Sequence, residues 1–429
     1  MEKSNKILRG LRTKALTLSV ALVLSSFFSC SSGDDPIEPS DSSVSRTVVV
    51  YMVAENTLNN AAPGDVSEII KGAKSLTDND CIILFIDDIK NPRIYKIDNK
   101  TQAENLVSLV PEMEYESDVL STSPQVLAQV LDYAREHHSA DSYGIVFWSH
   151  ASGWQMLDKE VQHSVNTRNE NNVPSRRYGF GIDNGMNSSS TDFIANQEAN
   201  VMSVIDLADV VEQKMGKVEF ILFDCCFMQT VEVAYQLRNA THYIIGSPAE
   251  IPFNGAPYQH IVPLFADKLD CNAIVDAYYD YYKNNYGIQL SLIDTDGIDA
   301  FARATKSVWD KYKPSMEAIA FDKVDNYFNY DNCRHNKDNC YPDFYDVNSL
   351  MSVWLSEADY KAWKSSLDKF VVSTRATSKF YSCFPNNNST VNPDNVACVS
   401  MFLPLQKYRG DYFVNSYFQL DWSKEMGIY

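Results

Sequence analysis

The fold of this chain is decided by residues 220–232, which read FILFDCCFMQTVE. The apolar run Phe220–Phe223 is too short for a helix, and such a run bounded by polar residues is typical of a buried parallel strand. Apolar residues at every third or fourth position up to Tyr235 indicate a helix after it. Chemistry in open α/β sheets collects at the carboxyl ends of strands, and a nearby helix N-terminus lowers the pKa of a thiol. The adjacent Cys225 and Cys226 are therefore well placed to supply a nucleophile.

A second apolar strand runs into a histidine. Residues 143–150 read YGIVFWSH, and the chain then turns at Ala151-Ser152-Gly153. If the two strands are neighbours, His150 and Cys226 face the same edge of the sheet. A cysteine beside a histidine is the arrangement expected of covalent acyl transfer.

Several motifs resemble the clostripain family of cysteine peptidases. They are SHASGW at 149–154, FDCCFM at 223–228 running into VEVAY at 231–235, GSPAE at 246–250 and GAPY at 255–258, with a weaker echo at 399–404. The resemblance covers residues 46–300 and implies a caspase-like fold with Cys226 as nucleophile and His150 as its partner. Cys225 stands where the family usually has alanine and is expected to be a buried bystander.

The activity that this resemblance implies is peptide hydrolysis through a thioester, carried by a Cys226–His150 dyad. The sequence does not indicate a third residue that would complete a catalytic triad. Backbone N–H groups at Ala151 or Ser152, together with that of Cys226, are the candidates for an oxyanion hole.

The resemblance also implies cleavage after arginine or lysine. Asp224 lies two residues before the nucleophile, where the family has an acid at the floor of the pocket for the substrate side chain, and a carboxylate there selects basic groups. The alternative role for Asp224 is to cap the following helix. Ser247 and Glu250 are expected to bind substrate on the next wall of the cleft.

Two other kinds of protein remain open. Ala151, Cys225 and Gln229 differ from the residues usual in the family, which leaves room for a catalytically silent binding module with the same fold. A redox protein using Cys225 and Cys226 is disfavoured, because adjacent cysteines rarely form a disulfide.

The N-terminus has the pattern of an export signal. Five basic residues precede the apolar stretch Ala15–Phe28, which is too short to span a membrane as a helix. Its ending at Cys30 resembles a bacterial lipoprotein box, so we expect residues 1–29 to be a signal peptide, Cys30 to carry lipid and residues 30–45 to be a flexible tether. The expected location is the bacterial outer membrane, at its periplasmic face or the cell surface. The alternative is ordinary signal cleavage.

The charge of the chain speaks against nucleic acid as a partner. The formal net charge is −19, and residues 1–29 contribute five basic and one acidic residue, so the remainder carries −23. An acidic protein is repelled by phosphate backbones and by anionic membrane surfaces. It suits protein or peptide substrates that carry basic residues.

Strand and helix patterns alternate through the first 300 residues. Strands are predicted at 46–54, 81–87, 93–97 and 241–247. One helix is predicted to open at Ser123-Pro124, and another to span 204–215 with Ser203 as its N-cap. This alternation predicts an α/β fold with a mainly parallel sheet and helices on both faces. We expect a peptidase domain over 46–300 and a mostly helical C-terminal region over 301–429 that packs on it.

The long segment between the histidine and the cysteines, residues 155–200, is rich in Asn, Ser, Arg and Gly. Loops of this length in compact domains tend to be functional. A strand is predicted within it at 178–183. Clostripain-like enzymes are often activated by cleavage in this region, which makes Arg168, Arg176 and Arg177 candidate cleavage sites; an uncut surface loop is the alternative.

Nine cysteines raise the question of disulfides. Cys81 and Cys225 are expected to be free because they sit in or beside buried strands. Whether Cys333 pairs with Cys340, and Cys383 with Cys398, in a disulfide is left open. No cofactor is required by the sequence, and the Asp-rich runs of the C-terminal region leave Ca²⁺ binding open, although no EF-hand spacing is present.

Overall fold

A computed structural model describes residues 45–155, 179–185, 201–266, 268–317, 328–330, 344–382, 391–404 and 417–428. Residues 43–429 form one compact unit. The features expected from sequence that lie outside the described residues are the signal segment with Cys30, the candidate cleavage sites Arg168, Arg176 and Arg177, and the cysteines Cys333, Cys340 and Cys383.

A nine-stranded sheet organises the described part of the chain, in the order β10-β8-β7-β6-β5-β1-β2-β3-β4. The five strands from β7 to β2 are parallel, and antiparallel strands flank them on both sides. The strands are β1 Arg46–Val53, β2 Cys81–Asp87, β3 Arg93–Ile97, β4 Met113–Glu114, β5 Ser142–Trp148, β6 Val218–Asp224, β7 Thr241–Gly246, β8 Gln289–Asp294 and β10 Val371–Ala376. Two short strands, β9 Tyr345–Asp346 and β11 Ser400–Met401, form a separate small sheet.

Helices cover both faces of this sheet, as predicted. They are α1 Ala62–Ala73, α2 Pro124–His137, α3 Val204–Met215, α4 Val231–Gln236, α5 Tyr258–Ile261, α6 Cys271–Tyr282, α7 Ile298–Glu317, α8 Val347–Trp354, α9 Glu357–Phe370 and α10 Asp421–Met426. Helices α1, α5 and α6 pack on one face, and the others form the larger core on the opposite face. The predicted Ser203 cap of α3 is present, since its side chain accepts a hydrogen bond from the N–H of Asp206. Ser123 caps α2 in the same way, accepting from the N–H of Val126.

The central strands are buried on both faces, which explains their continuous apolar sequences. Every residue of β1 and β2 is buried. The alternating side chains of β6 divide between the two cores: Ile221 and Phe223 face one, and Phe220 and Leu222 face the other.

Two local expectations needed correction. The helix after the cysteines begins at Val231, where Thr230 is the N-cap, so residues 225–230 form an irregular turn. In the predicted strand at 178–183, the described residues form only isolated bridges, from Phe180 to Ala151 and to Met202. A strand pair needs several consecutive bridged residues, whereas here only Phe180 is bridged, to Ala151 on one side and to Met202 on the other.

The C-terminal region is partly helical, as expected, but it also completes the main sheet. Strand β10 pairs antiparallel with β8 at the sheet edge. Within the described residues, no helix combines the length and apolar character that crossing a membrane requires.

The described cysteines are thiols. Cys81 and Cys225 are free and buried, which confirms the prediction for both. Cys398 is also a free buried thiol, with its Sγ 3.4 Å from Oε1 of Gln289, and its possible partner Cys383 lies outside the described residues.

Candidate active site

The histidine and the cysteines follow two adjacent strands in matching register. Strands β5 and β6 are parallel neighbours, and the last paired positions are Trp148 and Asp224. His150 and Cys226 each lie two residues beyond that pair. The sheet therefore brings both residues to the same carboxyl edge at equivalent positions along the strands.

The two adjacent thiols have different environments. Cys225 is 1% exposed and directs its Sγ toward the carbonyl oxygen of Phe147, at 3.8 Å. Burial raises the pKa of the Cys225 thiol well above its usual value, with the neighbouring Cys226 and Asp224 adding to the shift. Cys226 is partly exposed. Of the two, Cys226 is the thiol that a substrate can reach.

The backbone is strained immediately after Cys226. Phe227 has a φ of 61°, in the left-handed region that bulky residues rarely adopt. The conformation is held by a hydrogen bond from its N–H to the carbonyl of Ala249 and by stacking of its ring on Phe344, with centroids 4.8 Å apart. Strain of this kind is found mostly where a fold must orient a functional group.

Gly153 packs against this strained turn from the histidine side. Its φ is +66°, and a Cβ there would lie 2.7 Å from the carbonyl oxygen of Phe227. Only glycine allows the backbone after His150 to approach the backbone after Cys226 so closely. The next residue, Trp154, is fully buried and contacts the rings of Phe402 and Tyr417.

Thr57 contacts the imidazole of His150. Its hydroxyl oxygen lies 2.8 Å from Nε2. Thr57 is on the loop after β1, and its neighbour Asn56 anchors that loop by donating from Nδ2 to the carbonyl oxygens of Val53 and Ile182. The loop after β1, next to β5 in the sheet, thus orients the ring of His150 through Thr57.

The backbone N–H groups of Ala151 and Ser152 are the two candidates for the oxyanion hole on the histidine side, and their hydrogen bonds distinguish them. The bridge between Ala151 and Phe180 is made by their neighbours: Gly181 donates its N–H to the carbonyl of His150, and Ser152 donates its N–H to the carbonyl of Gly179. The Ser152 N–H is therefore committed, and Ala151 is the better candidate.

Asp224 is buried on the sheet face opposite Cys225, and three groups donate hydrogen bonds to it. Its Oδ2 accepts from the N–H of Ala256 at 2.9 Å and from the hydroxyl of Tyr258 at 2.8 Å, and its Oδ1 accepts from the hydroxyl of Tyr278 at 3.2 Å. Burial raises the pKa of Asp224, and these three donors oppose that rise. Asp224 is not the cap of α4, because Thr230 takes that position.

A second acid lies close to Asp224. Asp65, in the first turn of α1, accepts a hydrogen bond from Nε1 of Trp148 at 2.7 Å. Burial, followed by the charge of Asp224, raises the pKa of Asp65 to about 8. The loop that contains Gly255 passes close to Asp224. A Cβ at Gly255, whose φ is +62°, would lie 2.8 Å from Oδ2 of Asp224, so a residue with a side chain would crowd the carboxylate. Sequence reasoning missed Asp65, which the chain supplies from a distant helix.

The other two expected substrate-binding residues lie in the turn after β7. Ser247 is fully buried, and its Oγ accepts a hydrogen bond from the N–H of Ala249, so it shapes the turn. Glu250 is partly exposed at the end of the same turn. The turn as a whole contacts the cysteine corner, because Gln229 donates its N–H to the carbonyl of Ser247.

Sequence reasoning also missed Thr57 and Phe344 as parts of the site. Thr57 belongs to no recognisable motif, because threonine is common in polar loops and nothing in the local sequence marks it as functional. Phe344 belongs to the C-terminal region, whose contact with Phe227 depends on long-range packing that no local pattern records.

Comparison with known proteins identifies the family. The clostripain family profile matches residues 50–173 and 183–427, and so continues through most of the C-terminal region. Clostripain of Hathewaya histolytica is 26% identical over 211 residues, which is 45% of this chain and 36% of that protein. The match thus spans about a third of the curated relative.

Solved structures share the fold over most of the chain. A secreted C11 cysteine protease from Bacteroides thetaiotaomicron, in complex with an irreversible peptide inhibitor, is 28% identical with a TM-score of 0.70, covering 89% of this chain and 98% of that one. An inactive zymogen C11 protease from Parabacteroides distasonis is 25% identical with a TM-score of 0.69, at the same coverage.

Proposed function

Because this chain belongs to the clostripain family of cysteine peptidases, we propose that it is an endopeptidase with Cys226 as nucleophile and His150 as acid and base. The observation that carries this proposal is the register of β5 and β6, which ends on Trp148 and Asp224 and leaves His150 and Cys226 two residues further on. The contrast between a buried Cys225 and a partly exposed Cys226 supports Cys226 as the nucleophile.

The reaction proceeds through a thioester. The Cys226 thiolate attacks the scissile carbonyl, the C–N bond breaks as His150 protonates the leaving amine, and water then hydrolyses the thioester. Since Nε2 of His150 contacts the Thr57 hydroxyl, we assign Nδ1 to proton transfer with the cysteine. The N–H groups of Ala151 and Cys226 stabilise the oxyanion.

Cleavage follows a basic residue in this proposal. Asp224 and Asp65 place two carboxylates together beneath the edge of the sheet that carries Cys226. A carboxylate pair recognises an arginine or lysine side chain by charge-assisted hydrogen bonds. Ser247 and Glu250 contribute a neighbouring wall, with Glu250 the more accessible of the two.

The enzyme acts outside the cytoplasm, held to the outer membrane by lipid on Cys30. The basic and apolar pattern of residues 1–29 supports export, and the Bacteroides relative is described as secreted. The Parabacteroides relative is described as an inactive zymogen, which supports activation by cleavage at Arg168, Arg176 or Arg177.

Replacing each cysteine of the pair tests the dyad. Cys226→Ala is expected to abolish hydrolysis of fluorogenic peptides, whereas Cys225→Ala, its matched control, retains most of it. His150→Ala should lower kcat/KM by several orders of magnitude, because both proton transfers depend on it. Near-normal activity of Cys226→Ala or of His150→Ala would refute the dyad.

The alternative of a catalytically silent binding module predicts a different result. A thiol-reactive peptide probe would then fail to label the wild-type protein at Cys226. Labelling that disappears in Cys226→Ala and persists in Cys225→Ala supports the peptidase. The vicinal redox alternative is disfavoured, since adjacent cysteines rarely form a disulfide and Cys225 is buried.

A further inference from the structure

Exposed aromatic rings are concentrated in one part of the described chain. Among the residues that the structure describes, the exposed Phe, Tyr and Trp side chains are Phe253, Tyr281 and Tyr286, at 53%, 37% and 55% exposure. All three come from the segment 253–286, which also supplies the tyrosine hydroxyls that donate to Asp224. Single exposed apolar residues are common on protein surfaces. Three exposed rings from the segment that surrounds the acid pair are instead typical of a ligand-binding surface.

A buried tyrosine connects two of these rings to the acid pair. The ring centroid of Tyr282, a residue that is 1% exposed, lies 4.8 Å from that of Tyr281 and 6.3 Å from that of Tyr286. The hydroxyl of Tyr282 donates a hydrogen bond of 2.6 Å to the carbonyl of Gly255. Because Gly255 lies against Asp224, both exposed tyrosines stand close to the loop that covers this acid.

Phe253 reaches the same loop from the carboxyl end of β7. It lies two residues before Gly255, in a turn closed by a hydrogen bond of 2.9 Å from the N–H of Gly255 to the carbonyl of Pro252. None of the three exposed aromatic side chains belongs to either hydrophobic core. Phe253, Tyr281 and Tyr286, here called the aromatic rim, therefore lie around the acid pair with their rings open to solvent.

The order of the strands determines which part of a substrate meets the aromatic rim. His150 follows β5 and Cys226 follows β6, whereas β7 and then β8 lie on the other side of β6. In the proposed mechanism His150 protonates the leaving amine, so the residues after the cleaved bond lie toward β5. The acyl part of the substrate, which is bonded to Cys226, then extends toward β7 and β8. Phe253 follows β7 and Tyr286 precedes β8, so the rim lies on the acyl side.

We propose that the aromatic rim binds an apolar side chain of the substrate on the amino-terminal side of the cleaved bond. This subsite rests on the proposed function and adds a second requirement to it, beside the basic residue. An apolar side chain that packs on the rim removes its own surface and that of the rings from water, which favours binding. The expected substrates are therefore peptides in which an apolar residue precedes the basic one.

Kinetics with matched peptides test the aromatic rim. Each peptide has Arg before the cleaved bond, and either Leu or Ser at one of the three positions preceding that Arg or following the bond. We expect the parent enzyme to have a higher kcat/KM for Leu than for Ser at a position before Arg. Phe253→Ser and Tyr286→Ser should each lower that Leu-to-Ser ratio by about tenfold, the scale on which pockets discriminate small apolar groups. Ratios at positions after the bond should not change, and Phe253→Leu should retain most of the preference.

Val107→Ser is the matched control, because Val107 is 88% exposed and lies between β3 and β4, at the opposite end of the sheet. It should keep the ratios of the parent, and all variants should melt with the parent because the substituted side chains are exposed. Equal kcat/KM for Leu and Ser before Arg in the parent, or unchanged ratios in both Phe253→Ser and Tyr286→Ser, would overturn the subsite.

A different result would refute the proposed function instead, namely a parent that cleaves these peptides no faster than Cys226→Ala. Binding of the same peptides, carrying a fluorophore and measured by anisotropy, then tests the subsite without catalysis. The parent should bind the Leu peptide more tightly than the Ser peptide, and Phe253→Ser should remove about tenfold of that difference while Val107→Ser keeps it. Equal affinities of the parent for the two peptides would overturn the subsite in this measurement as well.

Discussion

Thr57 shows how a single exposed side chain contributes to a site built by distant strands. Its hydroxyl lies 2.8 Å from Nε2 of His150 and orients the ring from the loop after β1. Losing one neutral hydrogen bond costs about 1 kcal/mol, which corresponds to roughly a five- to tenfold change in rate.

Thr57→Val should therefore lower kcat/KM by about tenfold. Thr57→Ser restores the hydroxyl and should recover most of the activity. The melting temperature should barely change in either variant, because the side chain is exposed. Full activity in Thr57→Val would show that the contact does not position the imidazole.

Asp224 has both a structural and a proposed functional role, and one substitution separates them. Asn keeps a single acceptor oxygen for three donors, namely Ala256 N–H and the hydroxyls of Tyr258 and Tyr278. A buried donor left unsatisfied costs about 1–3 kcal/mol, so Asp224→Asn should melt at a lower temperature.

If Asp224 also binds the basic side chain of the substrate, the ratio of kcat/KM for Arg over Leu peptides should fall about ten- to a hundredfold in the same variant. Tyr278→Phe removes one donor and leaves the carboxylate in place, so it should lower the melting temperature and keep the preference for Arg. An unchanged Arg-to-Leu ratio in Asp224→Asn would mean that Asp224 serves only the fold.

At the scale of elements, Glu232 links helix α4 to the C-terminal region. It lies in the first turn of α4, and its Oε1 accepts a hydrogen bond of 2.7 Å from the N–H of Phe402. Burial raises the pKa of Glu232 from 4.5 to about 7. Because the folded-state pKa lies above the unfolded one, the protonated carboxyl stabilises the fold below about pH 4.5. That contribution is lost as the pH rises through 7.

The loss amounts to about 3 kcal/mol. Glu232→Gln keeps an acceptor for Phe402 but does not titrate, so its melting temperature should fall less than that of the wild type between pH 5 and about pH 8. Glu212→Gln, at an exposed position of α3, should follow the wild type. Parallel curves for wild type and Glu232→Gln would contradict this assignment.

The elements that sequence could predict are those whose signal is local. Strand β2 at Cys81–Asp87 and helix α3 at Val204–Met215 have the predicted bounds, since an unbroken apolar run and a Ser203 cap with helical periodicity are complete within a few residues. The alternation of strands and helices predicted that β5 and β6 are parallel, but their adjacency was only a condition of the sequence analysis, and the structure supplies it. The turn at 225–230 and the contact of Phe344 with Phe227 were not predictable, because both depend on residues far away in the chain.

The whole molecule carries a net charge of −19 and, in our proposal, a lipid at Cys30. Cys30→Ser should move the protein from the membrane fraction to the soluble one, because in this proposal the lipid on Cys30 is what holds it to the membrane. Ser32→Ala, two residues away, is the matched control and should remain with the membrane. Fractionation followed by immunoblotting measures both, and membrane retention of Cys30→Ser would contradict the lipid anchor.

Strand β10 has a practical consequence for anyone who cuts this protein into pieces. It supplies the outermost partner of β8, and the rings of Phe344 and Phe402 come from the same half of the chain. A fragment ending near residue 300 would expose the backbone amides along the β10 side of β8, and an unpaired edge strand invites pairing between copies. Such a fragment should precipitate or associate on expression. Truncation mutants that lack β10 would therefore report on solubility rather than on catalysis.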